Sequence, residues 1–163
     1  MILAAMALTA CVAGEELEKE YTAKANSGDP EGQYQLSLMY FTGNGVDQSD
    51  KKGAYWGRRA ADQGHREAQS NLAEMYAIGV IVRKNLVEAD KWFTLSSDQG
   101  FGPATRRMRE VEETMTPQQI EQAKALAREW KPKIETPQAQ STPSVPGPST
   151  AAAATPASAS ASK

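Results

Sequence analysis

One cysteine, one histidine, glutamates at 15, 16, 18 and 20, and arginines at 106, 107 and 109 are the residues of this 163-residue chain that could carry chemistry. Tryptophans at 56 and 92 are the residues that could stack on a ligand. A general base needs a nucleophile within hydrogen-bond reach. No Ser or Cys is tied by spacing to His65, which follows Gly64, so it reads as an exposed loop histidine. The acidic run suits the N-terminus of a helix, where anions complement the helix dipole, better than a divalent metal site. The basic cluster is cancelled by Glu110, Glu112 and Glu113, as ordinary i, i+3 and i+4 pairing on one helix requires. A single Cys leaves no disulfide framework and no multi-thiolate metal site, and a single His leaves no His-rich one. No metal and no cofactor is therefore expected.

Composition narrows the classes further. With 18 Lys+Arg against 20 Asp+Glu, the net charge of −2 gives no broadly basic surface for nucleic acid. No apolar run reaches the ~20 residues needed to span a bilayer. From Thr136 to Lys163 the chain is almost all Pro, Ala, Ser, Thr and Gln, which cannot bury enough apolar surface to fold, so 136–163 reads as a disordered tail. The folded part should run from about Glu15 to Lys133.

The elements that position these residues come from a repeat. Gly28, Gly64 and Gly100 lie 36 residues apart. The same offset superposes Leu36 on Leu72, Met39 on Met75, Tyr40 on Tyr76, Gly43 on Gly79, Trp56 on Trp92 and Gln63 on Gln99. A fixed period in this range marks a solenoid, whose units bury their apolar faces only against one another. Each unit reads as two helices. The first, Pro30–Thr42, has Asp29 as N-cap, Pro30 in its first turn and the stripe Gly32, Leu36, Met39, Tyr40. Gly43-Asn44-Gly45 ends it, and a second helix from about Asp50 to Gln63 follows. The copy predicts helices over Glu67–Ile78 and Leu86–Gln99, then one over Pro103–Met115. Thr116-Pro117-Gln118-Gln119 starts a last helix to about Trp130, and Glu15–Asn26 forms an N-terminal cap helix. The fold class is all-α: a short solenoid of about seven helices in antiparallel pairs. Its units are 28–63 and 64–99, followed by a half-unit 100–115 and a cap helix 116–130. Leu36, Met39, Tyr40, Trp56, Leu72, Met75, Tyr76 and Trp92 are the expected repeat core, since identical repeat positions mark packing.

The unit Gly28-Asp29-Pro30-Glu31-Gly32-Gln33-x-x-Leu36-x-x-Met39-Tyr40-x-x-Gly43-x-Gly45-Val46, with Trp56 and Ala60-Ala61 after it, resembles the Sel-1-like repeat. That family is a relative of the tetratricopeptide repeat with a longer unit. The second copy departs at Ile81, where the pattern has Gly, which predicts a different turn after Gly79, and at Ser96-Ser97, where it has Ala-Ala. The resemblance implies an α-solenoid that binds proteins or peptides, often as an adaptor in a bacterial envelope, with no catalytic residue among the matched positions. An alternative of another class is an envelope enzyme or enzyme inhibitor acting on cell-wall or β-lactam substrates. No cluster of titratable groups here has active-site spacing. Neither repeat carries the Cys pairs of the relatives linked to penicillin chemistry.

Residues 1–13 are uncharged and end Leu8-Thr9-Ala10-Cys11 before Val12-Ala13, which resembles the lipobox of bacterial lipoproteins. The resemblance implies lipidation of Cys11 and a periplasmic chain held by its lipid at the outer membrane. A plain secretory signal cut near Ala13-Gly14, giving a secreted or soluble periplasmic protein, and an apolar capping helix are the alternatives.

A partner surface is suggested by one break in the repeat. The face of each first helix opposite the core reads Ser70, Glu74, Ala77 in the second unit and Arg106, Glu110, Glu113 in the third, but Tyr34, Leu38, Phe41 in the first. Either the cap helix covers this apolar stripe through Leu17, Tyr21 and Ala25, or part of it stays open as a docking site for a protein or peptide, with Gln35, Asn71 and Glu74 as polar contacts.

Overall fold

The computed structural model describes residues 16–136. Within them the chain forms seven helices and no strand: α1 (16–26), α2 (Pro30–Thr42), α3 (Asp50–Asp62), α4 (Arg66–Ile78), α5 (Leu86–Asp98), α6 (Gly102–Glu112) and α7 (Pro117–Glu129). Local chemistry sets the ends. Asp29 accepts from the amides of Glu31 and Gly32 to start α2, Ser49 and Asn85 cap α3 and α5, and Thr116 with Gln119 forms a complete capping box on α7. Gly43 and Gly79 close α2 and α4 in the left-handed region, at φ 71° and 85°. α6 stops at Glu112, three residues short of the expected Met115, because Thr114 turns its hydroxyl onto the Val111 carbonyl and Thr116 must be extended before Pro117.

The helices stack as hairpins. α2 packs on α3 and α4 on α5, α3 joins the two pairs by lying against α4, and α5 is covered by both α6 and α7. Small residues allow the close approach: Ala60, Ala61, Ala73, Ala89, Ala104 and Ala123 are fully buried. A Cβ at Gly32 would sit 2.4 Å from the Lys24 Cβ, so α1 can rest on α2 only at a glycine. Leu36, Met39, Trp56, Leu72 and Trp92 are buried, while Tyr40, Met75 and Tyr76 are half-buried at the edges of the core. The Ser96-Ser97 pair replaces Ala-Ala without leaving a hydroxyl idle. Ser96 donates to the Arg66 carbonyl at 2.7 Å, and Ser97 bonds Thr105 at 2.6 Å.

Three sequence expectations are corrected here. His65 is no exposed loop residue. Its side chain is 11% exposed, its Nδ1 accepts the Ala68 amide as the N-cap of α4, and its Nε2 lies 2.9 Å from Glu31. The turn after Gly79 does not differ from the first: Ile81 adopts φ 67°, close to the 77° of Gly45 at the same repeat position. The ordered chain also continues past Lys133, with contacts as far as Glu135. The lipobox segment 1–13, including Cys11, and the tail beyond Thr136 lie outside the described residues.

One buried charge is unlike the rest of the core. Asp90, where the first unit has Ala54, is 0% exposed, and neither carboxylate oxygen has a hydrogen-bond partner among the described residues. Burial, then Glu112, raises its pKa to about 6, against the opposing pull of Lys124. The folded state therefore holds this proton more tightly than the unfolded chain, so stability is full at low pH and falls as pH rises from about 4 through about 6. At neutral pH the loss is about 3 kcal/mol, from 1.36 kcal/mol for each pKa unit. Asp90→Asn should remove that slope: its denaturation midpoint exceeds the parent's at pH 7 and matches it at pH 4. Equal midpoints at pH 7 would show that the carboxylate is solvated.

Candidate protein-binding site

The turn that follows the first helix of each unit keeps its backbone and its Gly43/Gly79 and Val46/Val82 positions but changes from polar to aliphatic around them. Thr42, Asn44 and Gly45 in the first unit become Ile78, Val80 and Ile81 in the second. All three are exposed, by 63%, 51% and 42%. With Phe41, Met75 and the aliphatic part of Glu74 they line a shallow apolar groove between the ends of α2 and α4, rimmed by Asp50 and Asn71. Apolar side chains gathered on one open surface mark an interaction site more often than chance exposure does.

The backbone that presents them is strained. Ile81 is the only non-glycine residue with positive φ among the described residues. A β-branched side chain in the left-handed region clashes with its own backbone, at a cost of about 1–3 kcal/mol. The two ends of the turn are closely packed: a Cβ at Gly79 would lie 2.9 Å from the Lys84 Cβ.

Of the residues proposed from sequence as a partner surface, Phe41, Asn71 and Glu74 line this groove. The other three do not. Tyr34 turns inward against the core of the second unit and stacks on His65 with ring centroids 4.4 Å apart. Burial, then Glu67, raises its hydroxyl pKa, while a hydrogen bond with Asn71 lowers it. Gln35 donates to Glu31 within its own helix at 2.7 Å, and Leu38 is half-buried away from the groove.

The cap-helix account of the Tyr34–Leu38–Phe41 stripe does not hold, and of the docking account's residues Phe41 and Asn71 alone reach the groove with Glu74. α1 does not cover it: Tyr21 and Ala25 join Leu36 and Trp56 on another face, and Leu17 is exposed. The stripe serves the structure itself, since Phe41 lies flat on Gly53 of α3, where a Cβ would be 2.7 Å from its ring. Ser70, expected on the solvated face, is buried.

Two polar members of the site are already engaged, Asn71 with the Tyr34 hydroxyl and Glu74 with an arginine. Glu74 receives Arg107 of α6 in a two-pronged pair, Nε to Oε1 at 2.5 Å and Nη2 to Oε2 at 2.9 Å, and Arg107 also holds Glu110. Glu74 thus fixes α4 to α6 and leaves apolar surface as the main feature of the groove. Nothing in it has the arrangement of a nucleophile with a base. The described residues contain no group of three or more His, Cys, Asp or Glu that could hold a metal ion.

A family model described as the Sel1 repeat matches residues 30–65 and 66–101, the same period set two residues beyond the glycine-marked units. Among solved structures, the chain is similar to a protective antigen of uropathogenic Escherichia coli displaying an SLR fold. The TM-score is 0.67 at 26% identity, over 82% of this chain and 30% of that one. It is also similar to a Sel1 repeat protein from Oxalobacter formigenes, with a TM-score of 0.57 at 29% identity over 58% of this chain and 39% of that one. The chain thus matches well under half the length of either structure. No curated protein matches it.

The strained turn gives a direct test. Ile81→Gly removes the steric cost of positive φ and should stabilise the fold by about 1 kcal/mol, net of the extra backbone entropy of glycine. Urea denaturation should show a higher midpoint. A lower one would mean that Ile81 contributes more by packing than it loses in strain.

Proposed function

We propose, from the premise that this is a Sel1-repeat protein, that it is an adaptor whose partner docks in the groove formed by Phe41, Met75, Ile78, Val80 and Ile81. Sel1-repeat proteins generally mediate protein–protein interaction, and this groove is where the chain departs from its own repeat in the direction such a role needs. The observation that carries the reading is the coincidence of three exposed aliphatic side chains with one strained residue. A turn under selection for stability alone would keep Gly at 81 and polar residues at 78 and 80. The occupant is a segment of a protein partner that presents aliphatic or aromatic side chains, with a basic group alongside to meet Asp50 at the rim. The reading assigns the protein no reaction of its own: its work is to hold two molecules together.

A location in the bacterial envelope, held by a lipid on Cys11, completes the proposal. Its support is the Leu8-Thr9-Ala10-Cys11 sequence, which places the chain's one thiol where a lipobox would use it. A soluble anchor-free adaptor would meet its partner by diffusion, whereas a lipidated one would meet it at the membrane surface at raised local concentration.

Two experiments separate these parts. Ile78→Ser combined with Val80→Ser should leave the unfolding free energy within about 0.5 kcal/mol of the parent, as surface changes do, and abolish recovery of a crosslinked partner from native envelopes. A stable double variant that still recovers the same partner would place docking elsewhere. Cys11→Ser should abolish labelling by a radioactive fatty acid and release the chain from the membrane fraction. A parent that takes up no label would refute the anchor while leaving the groove untouched.

A further inference from the structure

The chain does not leave the fold when α7 ends. Trp130 turns extended, at φ −67° and ψ 142°, and the following residues run back across the solenoid to its first unit. Trp130 packs edge-on to Trp92 with centroids 6.1 Å apart, and its ring passes over Gly64, where a Cβ would be 3.5 Å away. The Lys133 amide donates to the Asp62 carbonyl at 2.8 Å, and its ammonium lies 3.1 Å from the Asp62 carboxylate. Ile134 points into solvent, 92% exposed.

Glu135 then enters a prepared site. Both of its carboxylate oxygens lie 2.9 Å from Arg59 Nε, Arg59 Nη2 closes a second prong, and Gln33 Nε2 donates at 2.8 Å. Arg59 and Gln33 also have partners other than Glu135. Arg59 is 13% exposed and lies over the rings of Tyr55 and Trp56, at 5.6 and 4.9 Å from their centroids. Gln33 is oriented by the Ala25 carbonyl at 3.2 Å and by Gln63, which donates to its Oε1 at 2.9 Å. Gly28 admits the backbone of the segment: a Cβ there would be 2.8 Å from the Glu135 carbonyl oxygen.

The second unit has the same glutamines, Gln69 and Gln99, and the same glycine, Gly64, but Leu95 stands where the first has Arg59. The charge is an addition to the repeat. The segment itself is lightly held, by Trp130, one backbone hydrogen bond, the Lys133–Asp62 pair and the Glu135 contacts, with its aliphatic residue facing water.

We propose that Arg59, Gln33 and Gln63 form a carboxylate-recognition site for an acidic peptide segment of a protein partner, and that residues 130–135 are its internal occupant, displaced when the partner binds. A planar guanidinium backed by aromatic rings and flanked by an oriented amide is a receptor for one carboxylate, and Glu135 shows the ligand class it takes. The internal segment competes at the millimolar effective concentration of a short tether, so the site opens only to a partner that binds better than Glu135 does or is itself held nearby. The site shares no residue with the groove at Ile78–Ile81, and its test does not depend on that groove.

The experiment uses the full chain and a labelled, C-terminally amidated peptide with the sequence of residues 130–135, followed by fluorescence anisotropy. Glu135→Gln in the chain weakens the internal occupant and should tighten peptide binding about tenfold over the parent, the size of effect expected for a charge-assisted hydrogen bond. Adding Arg59→Ala, or replacing the peptide's last residue by Gln, should abolish the gain. On the parent chain, saturating peptide should speed exchange of the Lys133 amide, read by NMR, while the Gln-ended peptide does not. A folded Glu135→Gln chain that binds the peptide no better than the parent, or binds both peptides alike, would overturn the proposal. So would loss of the fold in Glu135→Gln, or a Lys133 amide indifferent to peptide, since the segment would then be a fixed structural strap.

Discussion

The buried side-chain amides of Gln33 and Gln69 are what the stacking of this molecule depends on. A primary amide taken out of water is costly unless its donors and acceptor are all met. Each of these glutamines, fully buried in the first helix of its unit, reaches back to the carbonyl of an alanine in the preceding helix: Gln33 to Ala25 at 3.2 Å and Gln69 to Ala61 at 3.3 Å. Each also accepts from the glutamine that closes its own unit, Gln63 at 2.9 Å and Gln99 at 2.8 Å. A helix rotated by one residue would strand both amides, whereas an apolar side chain would tolerate the slip. The apolar core supplies most of the driving force, and the glutamines select the register in which it packs.

With the register fixed, the two surfaces proposed for recognition both include places where one unit breaks the other's rule. The turn after α4 carries Ile78, Val80 and Ile81 where the turn after α2 carries Thr42, Asn44 and Gly45, and it accepts a strained backbone to do so. The second helix of the first unit carries Arg59 where the next carries Leu95, and that guanidinium holds the returning C-terminal segment. Repeat positions shared by both units are occupied with packing, as Leu36 and Leu72 or Trp56 and Trp92 are. The departures are set into a frame that shared positions such as Gln33, Gln63 and Met75 supply.

The period made most of the fold legible, because helix starts, glycine stops and core stripes recur together and each supports the other. The less legible parts share a cause: they depend on contacts between residues distant in the chain. His65 reads as a loop residue from its neighbours, yet Tyr34 and Glu31, in the preceding unit, enclose it and make it a cap. The apolar stripe of α2 is visible in sequence, but that Phe41 is spent on Gly53 is set by how closely α3 approaches. Glu135 stands at the edge of a Pro- and Ala-rich stretch, and nothing local marks it as the partner of Arg59, 76 residues earlier. The groove is the exception. The change at 78, 80 and 81 is present in the sequence, flanking and following the shared Gly79.

A photo-crosslinking amino acid placed at single positions of the full chain in its native cells tests the central claim most directly. At position 80, in the centre of the groove, and at position 41 on its wall, irradiation should give one discrete adduct of the same mass. At Gln118, exposed on α7 and remote from the groove, it should give none. No adduct at position 80, or the same adduct at all three positions, would contradict a partner seated on the turn after α4.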